Sequence, residues 1–514
     1  MTNRAAHLFT IAGQNPDKTA LIFEGERISF ADLARRVRSA AGGLAALGVE
    51  PGSHVGIMIP SSPDFIVVQQ ALFVLGAVVS PLNIFYRPNE VAHAIRSCDL
   101  AHIILSPDLL DRMPTDILNL PSLRSIICID GAPGDTQVVS LPDAIAGSAP
   151  VEDLAPVAAD DVAMLLLTSA TTGKSKGVML TAGNLAANYD RTPDWLALDG
   201  DDVILCALPL YNTFGLNQCI NAMLSKGATM VLLPRFDAKR CIDAIARYDC
   251  TFLPAVPTML QKIVDCDGLR PGALSSVTRI MTGGAPVPAA LLRRVLAAVN
   301  PDAEVLTGYG LTEATALVTL MPVRLGSDGE IEHGRTIGRV LDGMTIGIMT
   351  DDGELAAAGV IGEIVMRGPN LMRGYYLAPV DTAAALSGGW LRSGDLGYID
   401  EAGYAFIVDR KKDVIIRGGQ NIYPADIEEI IYQVPGVAEV AVVGRPDDDF
   451  GETVVAYVAC QPSCTVSEST LLERCKAELA HYKVPAAIYF LSELPKGPTG
   501  KILRRELKPL RPGA

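Results

Sequence analysis

Residues 168–177, TSATTGKSKG, place five hydroxyl side chains, two lysines and two glycines in ten positions. Hydroxyls and backbone amides donate to phosphate oxygens and lysine adds a point charge, so the stretch has the means to hold a polyphosphate. It contains Gly173-Lys174-Ser175, the tail of a Walker A loop, but that motif needs another glycine where Thr168 stands. The Walker spacing fails, and a Ser/Thr/Gly surface loop is the plain alternative. The flanks favour the phosphate reading. The apolar run Val162 to Leu167 leads in, and GVML followed by a polar segment opening at Thr181 leads out.

Other chemistries find less support. The ten cysteines include no CxxC pair, and none of the six histidines lies within four residues of another, so a zinc site is not expected. Reduced, mostly buried thiols are the default. A net charge of −15 argues against a nucleic-acid surface, which needs clustered Lys and Arg. That charge is unevenly placed, because residues 409–514 are almost neutral while the rest of the chain is acidic. No apolar run reaches the roughly 18 residues of a membrane span, since Gln69 and Gln70 interrupt the longest candidate, Phe65 to Val79. The opening MTNRAAHLFT lacks a signal-like apolar stretch, and a cytoplasmic location is expected.

The elements that must position the loop follow from pattern. At 514 residues the chain exceeds one compact core, so two or more domains are expected. Residues 30–130 alternate helix-like stretches (FADLARRVRSAAGGLAALG, DFIVVQQALFVLGAVVSPL) with short apolar runs (HVGIMI, AHIIL), which predicts α/β architecture with parallel sheets. The rhythm continues through VILCALP, ATMVLLP, CTFLPAVP and SVTRIMTGG. From about residue 335 it gives way to Gly-punctuated strands such as MTIGIMT, GEIVMRG and GYAFIVDR, expected to be antiparallel. A third section, near Asp409 onward, reads as a small α+β unit: DIEEIIYQVPGVAEVAVVG, TVVAYVACQ, then the helical LLERCKAELA.

Four further segments follow the loop in fixed order: TGYGLTEAT (307–315), GWLRSGDLGYID (389–400), DRKKDVIIRGGQNIYPADIEE (409–429) and PKGPTGKILRREL (495–507). Together with the loop they resemble the ANL superfamily of adenylate-forming enzymes, and within it the AMP-forming acyl-CoA synthetases, from about residue 15 to residue 508. The resemblance implies a large N-terminal adenylation domain over 1–408, built of parallel-rich sheets flanked by helices plus a small β-barrel-like subdomain. It implies a mobile α+β C-terminal domain over 409–514, hinged near Lys412. It also implies a two-step reaction. A carboxylic acid and ATP give an acyl-adenylate and pyrophosphate, and the thiol of coenzyme A then displaces AMP.

The same resemblance assigns residues. Thr168, Ser169, Thr171, Thr172 and Lys176 would hold the β- and γ-phosphates. Glu313 matches a magnesium-associated glutamate, and Thr168 is a second candidate beside Mg2+; a hard carboxylate suits an ion that bridges phosphate oxygens. Tyr309 would lie against adenine, Thr312 near the α-phosphate, Asp395 on the ribose hydroxyls and Arg410 at the ribose or phosphate. Lys501 would contact the substrate carboxylate and α-phosphate, screening the repulsion between two anions that must meet. Gly418 and Gly419 would line the pantetheine path of CoA. Tyr211, Asn212, Phe214, Leu216, Gly283 and Gly308 would border the acyl group.

The chain departs from the family pattern at Ala170 (usually glycine), Ser175 (usually proline), Ala182 (commonly histidine) and Asn212 (usually histidine). Asn212 cannot be cationic, which removes any role that needs an imidazolium. No acidic residue lies between Asp202 and Asp237 to hold an α-ammonium, and no Arg or Lys waits in the pocket stretches for a second carboxylate. A fatty acid of medium to long chain, or a bulky alicyclic or aromatic acid, fits the mainly apolar or small residues there. Two other readings stay open: an acyl-AMP ligase that loads an acyl carrier protein, and a catalytically poor acyl- or nucleotide-binding homologue. Oligomeric state, monomer or homodimer, is not encoded in any motif.

Overall fold

The parallel strands of this chain end in the loops that carry the candidate chemistry, and each strand is set by its neighbours. A computed structural model of the chain describes residues 2–115, 120–131, 138–168, 175–283, 287, 289–327, 331–332, 336–461, 464–496 and 502–509. It divides into two compact units, one of residues 1–346 and 366–391, the other of 347–365 and 392–514.

The first unit contains two sheets. In one, the strands run in the order Gly374–Tyr375, Gly177–Thr181, Val162–Leu167, Val78–Pro81, His54–Met58, His102–Leu105, Ser125–Cys128, Val138–Ser140. From Val162–Leu167 outward through Val138–Ser140 the pairing is parallel. The connection from His54–Met58 to Val78–Pro81 is the helix Pro63–Val74, in which every residue but Asp64 is buried. Gln69 and Gln70 are therefore interior side chains. Among the described residues no helix is long and apolar enough to cross a membrane.

The other sheet of this unit has a parallel centre, in which Glu304–Gly308, Arg279–Gly283, Phe252–Ala255, Val203–Cys206, Thr229–Leu232 and Thr19–Phe23 lie side by side. The alternation read from the sequence is thus realised as two parallel-rich sheets. Helices between the strands start on side-chain caps. Ser29 accepts from the Asp32 amide at the helix Phe30–Ala46, and Asp237 from the Arg240 amide at Ala238–Tyr248. Within Phe30–Ala46, a Cβ on Gly42 would come 2.1 Å from the Ala149 carbonyl oxygen, so the close approach of that segment requires glycine.

The strands Gly362–Arg367, Trp390–Ile399 and Ala405–Arg410, most of whose residues belong to the second unit, are consecutive neighbours in one sheet, and the last two pair antiparallel, Asp395 opposite Arg410. In that pair, which contains GYAFIVDR, the Gly-punctuated region is antiparallel as its pattern suggests. Beyond it, Val437–Asp447 and Gly451–Cys460 form a long hairpin. The helices Pro424–Tyr432 and Glu468–Glu478 bury Ile427, Ile431, Leu471 and Cys475 with Val440, Val442, Val454 and Val458 of that hairpin. Of the ten cysteines, all of them free, seven are buried, including Cys98, Cys219 and Cys475.

Candidate active site

In open parallel sheets the carboxyl ends of the strands are where ligands bind, because several loops leave the sheet together there. In the first unit, Cys206, Ala255, Gly283 and Gly308 each end a parallel strand. The segments that follow them are LPLYNTFGL, VPTML, the TGGAP stretch and YGLTEAT. Gly283 and Gly308 are direct cross-strand partners. The candidate acyl and nucleotide residues of this sheet therefore leave one edge.

The candidate phosphate loop leaves the carboxyl end of Val162–Leu167 and returns as the antiparallel strand Gly177–Thr181, with Leu167 opposite Gly177. The Thr168 amide donates to the Lys176 carbonyl at 3.1 Å, closing the base of the loop. A Walker A loop feeds a helix, so this hairpin geometry excludes it independently of the missing glycine. Ser169, Thr171 and Thr172 lie outside the described residues. His93, on the helix Pro88–Cys98, places Nε2 2.8 Å from the Ser175 carbonyl oxygen and anchors the returning end.

The segment TGYGLTEAT doubles back on itself. A Cβ on Gly310 would stand 1.8 Å from the Ala316 carbonyl oxygen, and one on Gly308 2.5 Å from that of Thr319, so both positions exclude a side chain. The Tyr309 carbonyl accepts from the Val318 amide at 2.8 Å. Thr312 opens a short 3-10 turn, Thr312–Ala314, and Glu313 sits half-buried within it. Thr315, fully buried, has φ +70°, an unfavourable region for a β-branched residue. Three bonds from one later segment hold the turn in place: Thr315 Oγ1 to the Asn370 carbonyl at 2.5 Å, Asn370 Nδ2 to the Ala314 carbonyl at 2.9 Å, and the Met372 amide to the Glu313 carbonyl at 2.8 Å.

That segment, residues 370–382, was missed by sequence reasoning, and it joins the two halves of the site. Tyr375 donates its hydroxyl to Glu313 Oε1 at 2.9 Å, and the Lys176 ammonium lies 5.2 Å from the centre of its ring. Lys176 is also ion-paired to Asp381 Oδ1 at 2.5 Å. Burial, together with the neighbouring Glu313 charge, pushes the Tyr375 phenol far above its ordinary range, so it stays a donor. The only sequence signal was Gly374 before a tyrosine pair.

The acyl-pocket candidates take individual positions. Asn212 is an N-cap, its Oδ1 accepting from the Gly215 amide at 3.1 Å. Gly215 is required there, because a Cβ would meet the Pro209 carbonyl oxygen at 2.3 Å. Phe214 is half-buried, and the Tyr211 hydroxyl has no hydrogen-bond partner among the described residues; burial pushes that phenol up to about 12. Leu216 starts a π-helical stretch, Leu216–Asn221, that buries Asn217 and Gln218. Such stretches concentrate at functional sites. Leu216 lines a cavity of about 30 Å³ with Arg4, Gln70 and Tyr189; Tyr211, Asn212, Phe214, Gly283 and Gly308 are not among its lining residues.

In the second unit, Asp395 is buried and accepts an ion pair from Arg410 Nε at 3.0 Å, so the two nucleotide candidates of this unit are adjacent. Lys412 follows two residues after Arg410, and Asp413 is held by Arg504 at 3.2 Å. Arg504 also makes two bonds of 2.8 Å to the Glu428 carboxylate. Gly418 and Gly419, at φ +57° and +79°, form the two-residue turn between Ile415–Arg417 and Gln420–Ile422. Positive φ at both positions suits glycine on backbone grounds alone. Lys501 lies outside the described residues.

Comparison with known proteins gives these geometries a context. The family model described as AMP-binding enzyme matches residues 8–376, and the AMP-binding enzyme C-terminal domain matches residues 426–501. A 3-[(3aS,4S,7aS)-7a-methyl-1,5-dioxo-octahydro-1H-inden-4-yl]propanoyl:CoA ligase of Mycobacterium tuberculosis is 34% identical over 520 residues, with 98% of each chain covered. A feruloyl-CoA synthase of an Amycolatopsis species is 34% identical over 506 residues, covering 97% of this chain and 96% of that protein. The structure of O-succinylbenzoate coenzyme A synthetase from Bacillus subtilis, in complex with ATP and magnesium ion, superposes with a TM-score of 0.84 at 29% identity, covering 98% of both chains.

Proposed function

The chain belongs to the family of AMP-binding enzymes and is an ATP-dependent acid:CoA ligase, and on that basis we propose that it activates a bulky, largely apolar alicyclic or aromatic acid. The acid and ATP form an acyl-adenylate with loss of pyrophosphate, and the CoA thiol then takes the acyl group with loss of AMP. A carboxylate is a poor acyl donor and the mixed anhydride a good one, so the enzyme's task is positioning and charge stabilisation. The observation that carries the reading is the link through Tyr375, which joins the hydroxyl-rich loop at Lys176 to the Glu313 turn.

In this reading Lys176 and the hydroxyls of Thr168, Ser169, Thr171 and Thr172 bind the β- and γ-phosphates, Thr312 lies near the α-phosphate and Tyr309 against adenine. Asp395 accepts the ribose hydroxyls, and Arg410, already paired with it, fixes the carboxylate's orientation. Lys501 screens the approach of the acid to the α-phosphorus. Residues 1–408 and 409–514 act as the adenylation and mobile domains about Lys412, and Gly418 and Gly419 admit the pantetheine arm.

The residues present fit Mg2+. This ion takes one or two carboxylates plus phosphate oxygens and water rather than an all-protein cage. Glu313 offers one half-buried carboxylate, and among the described residues no three His, Cys, Asp or Glu converge. Glu313 and Thr168 would hold the ion, which would supply neutralisation of phosphate charge.

Apolar and small residues at the strand ends, and relatives named for ring-bearing acids, support the choice of acid. Pyrophosphate release across a panel of alicyclic, aromatic, fatty and dicarboxylic acids, with and without CoA and followed by product mass, tests it. Ring-bearing acids are expected to give the highest rates and an acyl-CoA product. No release with any acid would refute the enzyme reading; preference for fatty acids would refute the acid assigned. An acyl-adenylate that persists in the presence of CoA would point to a carrier protein as acceptor.

A further inference from the structure

Glu313 and Lys176 belong to motifs far apart in sequence, and a third segment touches both. Tyr375 donates to Glu313 Oε1, its ring faces the Lys176 ammonium, and Asp381 pairs with that same ammonium. The segment is one piece. Tyr375 lies opposite Val178 in the strand pair, and its amide donates to Thr382 Oγ1 at 2.8 Å, on the helix Pro379–Ala385 that carries Asp381. Gly374, at φ +147°, leaves no space for a Cβ, which would meet Thr382 Cγ2 at 2.6 Å.

We propose that Tyr375 and Asp381 are positioning residues for the ATP polyphosphate: Tyr375 aims the Glu313 carboxylate at the metal and seats Lys176, and Asp381 holds the ammonium until phosphate oxygens replace it. This rests on the reading of Glu313 and Lys176 given above. A carboxylate with one oxygen bonded to a neutral donor keeps its charge and has its other oxygen fixed in direction, as partners of metal ligands do elsewhere. The Lys176–Asp381 pair is partly exposed, with side chains 31% and 47% accessible, so it adds little to stability and exchanges readily.

The test uses the full chain and an α,β-methylene analogue of ATP, which binds without being adenylated, titrated calorimetrically with and without Mg2+. Tyr375→Phe is expected to weaken the Mg2+-loaded analogue about tenfold, the loss of one hydrogen bond to a charged group, and the metal-free analogue about twofold or less. Asp381→Asn, at a partly exposed position with little risk to folding, is expected to tighten the analogue about threefold by removing the competing anion. Equal weakening of both forms by Tyr375→Phe, or weaker binding by Asp381→Asn, overturns the proposal. Glu313→Gln separates this from the underlying reading: if that variant keeps the full benefit of Mg2+, Glu313 is not the metal carboxylate and the functional reading fails first.

Discussion

At the residue scale, the charged groups of the candidate site, Lys176, Glu313, Asp395 and Arg410, were named from sequence through the ordered motifs that carry the family resemblance. Tyr375, Asp381 and Asn370 were not, because a tyrosine after glycine and an aspartate near a proline read as turn chemistry, and only the fold shows what they touch. Asn212 shows the reverse case. From sequence it is a lost histidine; in the structure its Oδ1 caps a helix by accepting from the Gly215 amide. Asparagine is among the best residues for that position, and an alanine leaves the amide without its acceptor. Asn212→Ala should therefore destabilise the first unit by about 1 kcal/mol in denaturant unfolding, and Asn212→Ser should recover most of it. If Asn212→Ala and Asn212→Ser unfold alike, the cap contributes nothing and Asn212 is kept for substrate.

At the element scale, the alternation of apolar runs with helical stretches was enough to expect parallel sheets, because a strand buried on both faces has few ways to hide its pattern. Two features escaped. GVML is too short for periodicity to separate strand from helix, so the hairpin return of the phosphate loop was not foreseen. The π-helical turn at Leu216–Asn221 leaves no periodic trace over six residues. In the second unit the short helix Arg504–Leu507 is tied by one cation to the segment from Asp409 to Asp413 and to the helix Pro424–Tyr432. Arg504 reaches Glu428 at 2.8 Å, Asp413 at 3.2 Å and Asp409 at 3.8 Å. Burial raises Glu428 and Asp409 above the usual carboxylate range, with Arg504 pulling both back. Removing the cation strands buried carboxylates, a loss of roughly 3–5 kcal/mol where such clusters are broken on one side. Arg504→Met should accordingly raise amide exchange in the helix Pro424–Tyr432 far more than Arg505→Met, at the neighbouring, exposed arginine. Similar exchange in the two variants would show the cluster to be solvated.

At the scale of the whole molecule, we propose that the division of labour between the two half-reactions rests on Lys501, three residues before Arg504 in the same motif. On that proposal its ammonium would act where two anions must meet, the substrate carboxylate and the α-phosphate, an electrostatic demand that exists only in adenylation. Once the acyl-adenylate is made, the nucleophile is a thiol and that repulsion is gone. A lysine near the carboxyl end of a chain would ordinarily be a solvated charge, and its loss would then affect both steps equally and slightly. The two accounts diverge in a measurable way. Lys501→Ala should lower acyl-adenylate formation by about 100-fold or more, the scale of losing one preorganised charge at a reacting centre, while acyl-CoA formation from supplied acyl-adenylate falls far less. Single-turnover assays of each half-reaction read the two rates separately. Equal losses would remove Lys501 from the chemistry, and an intact first step would move the screening of the two anions to another cation, of which Lys176 and Arg410 are the candidates already placed.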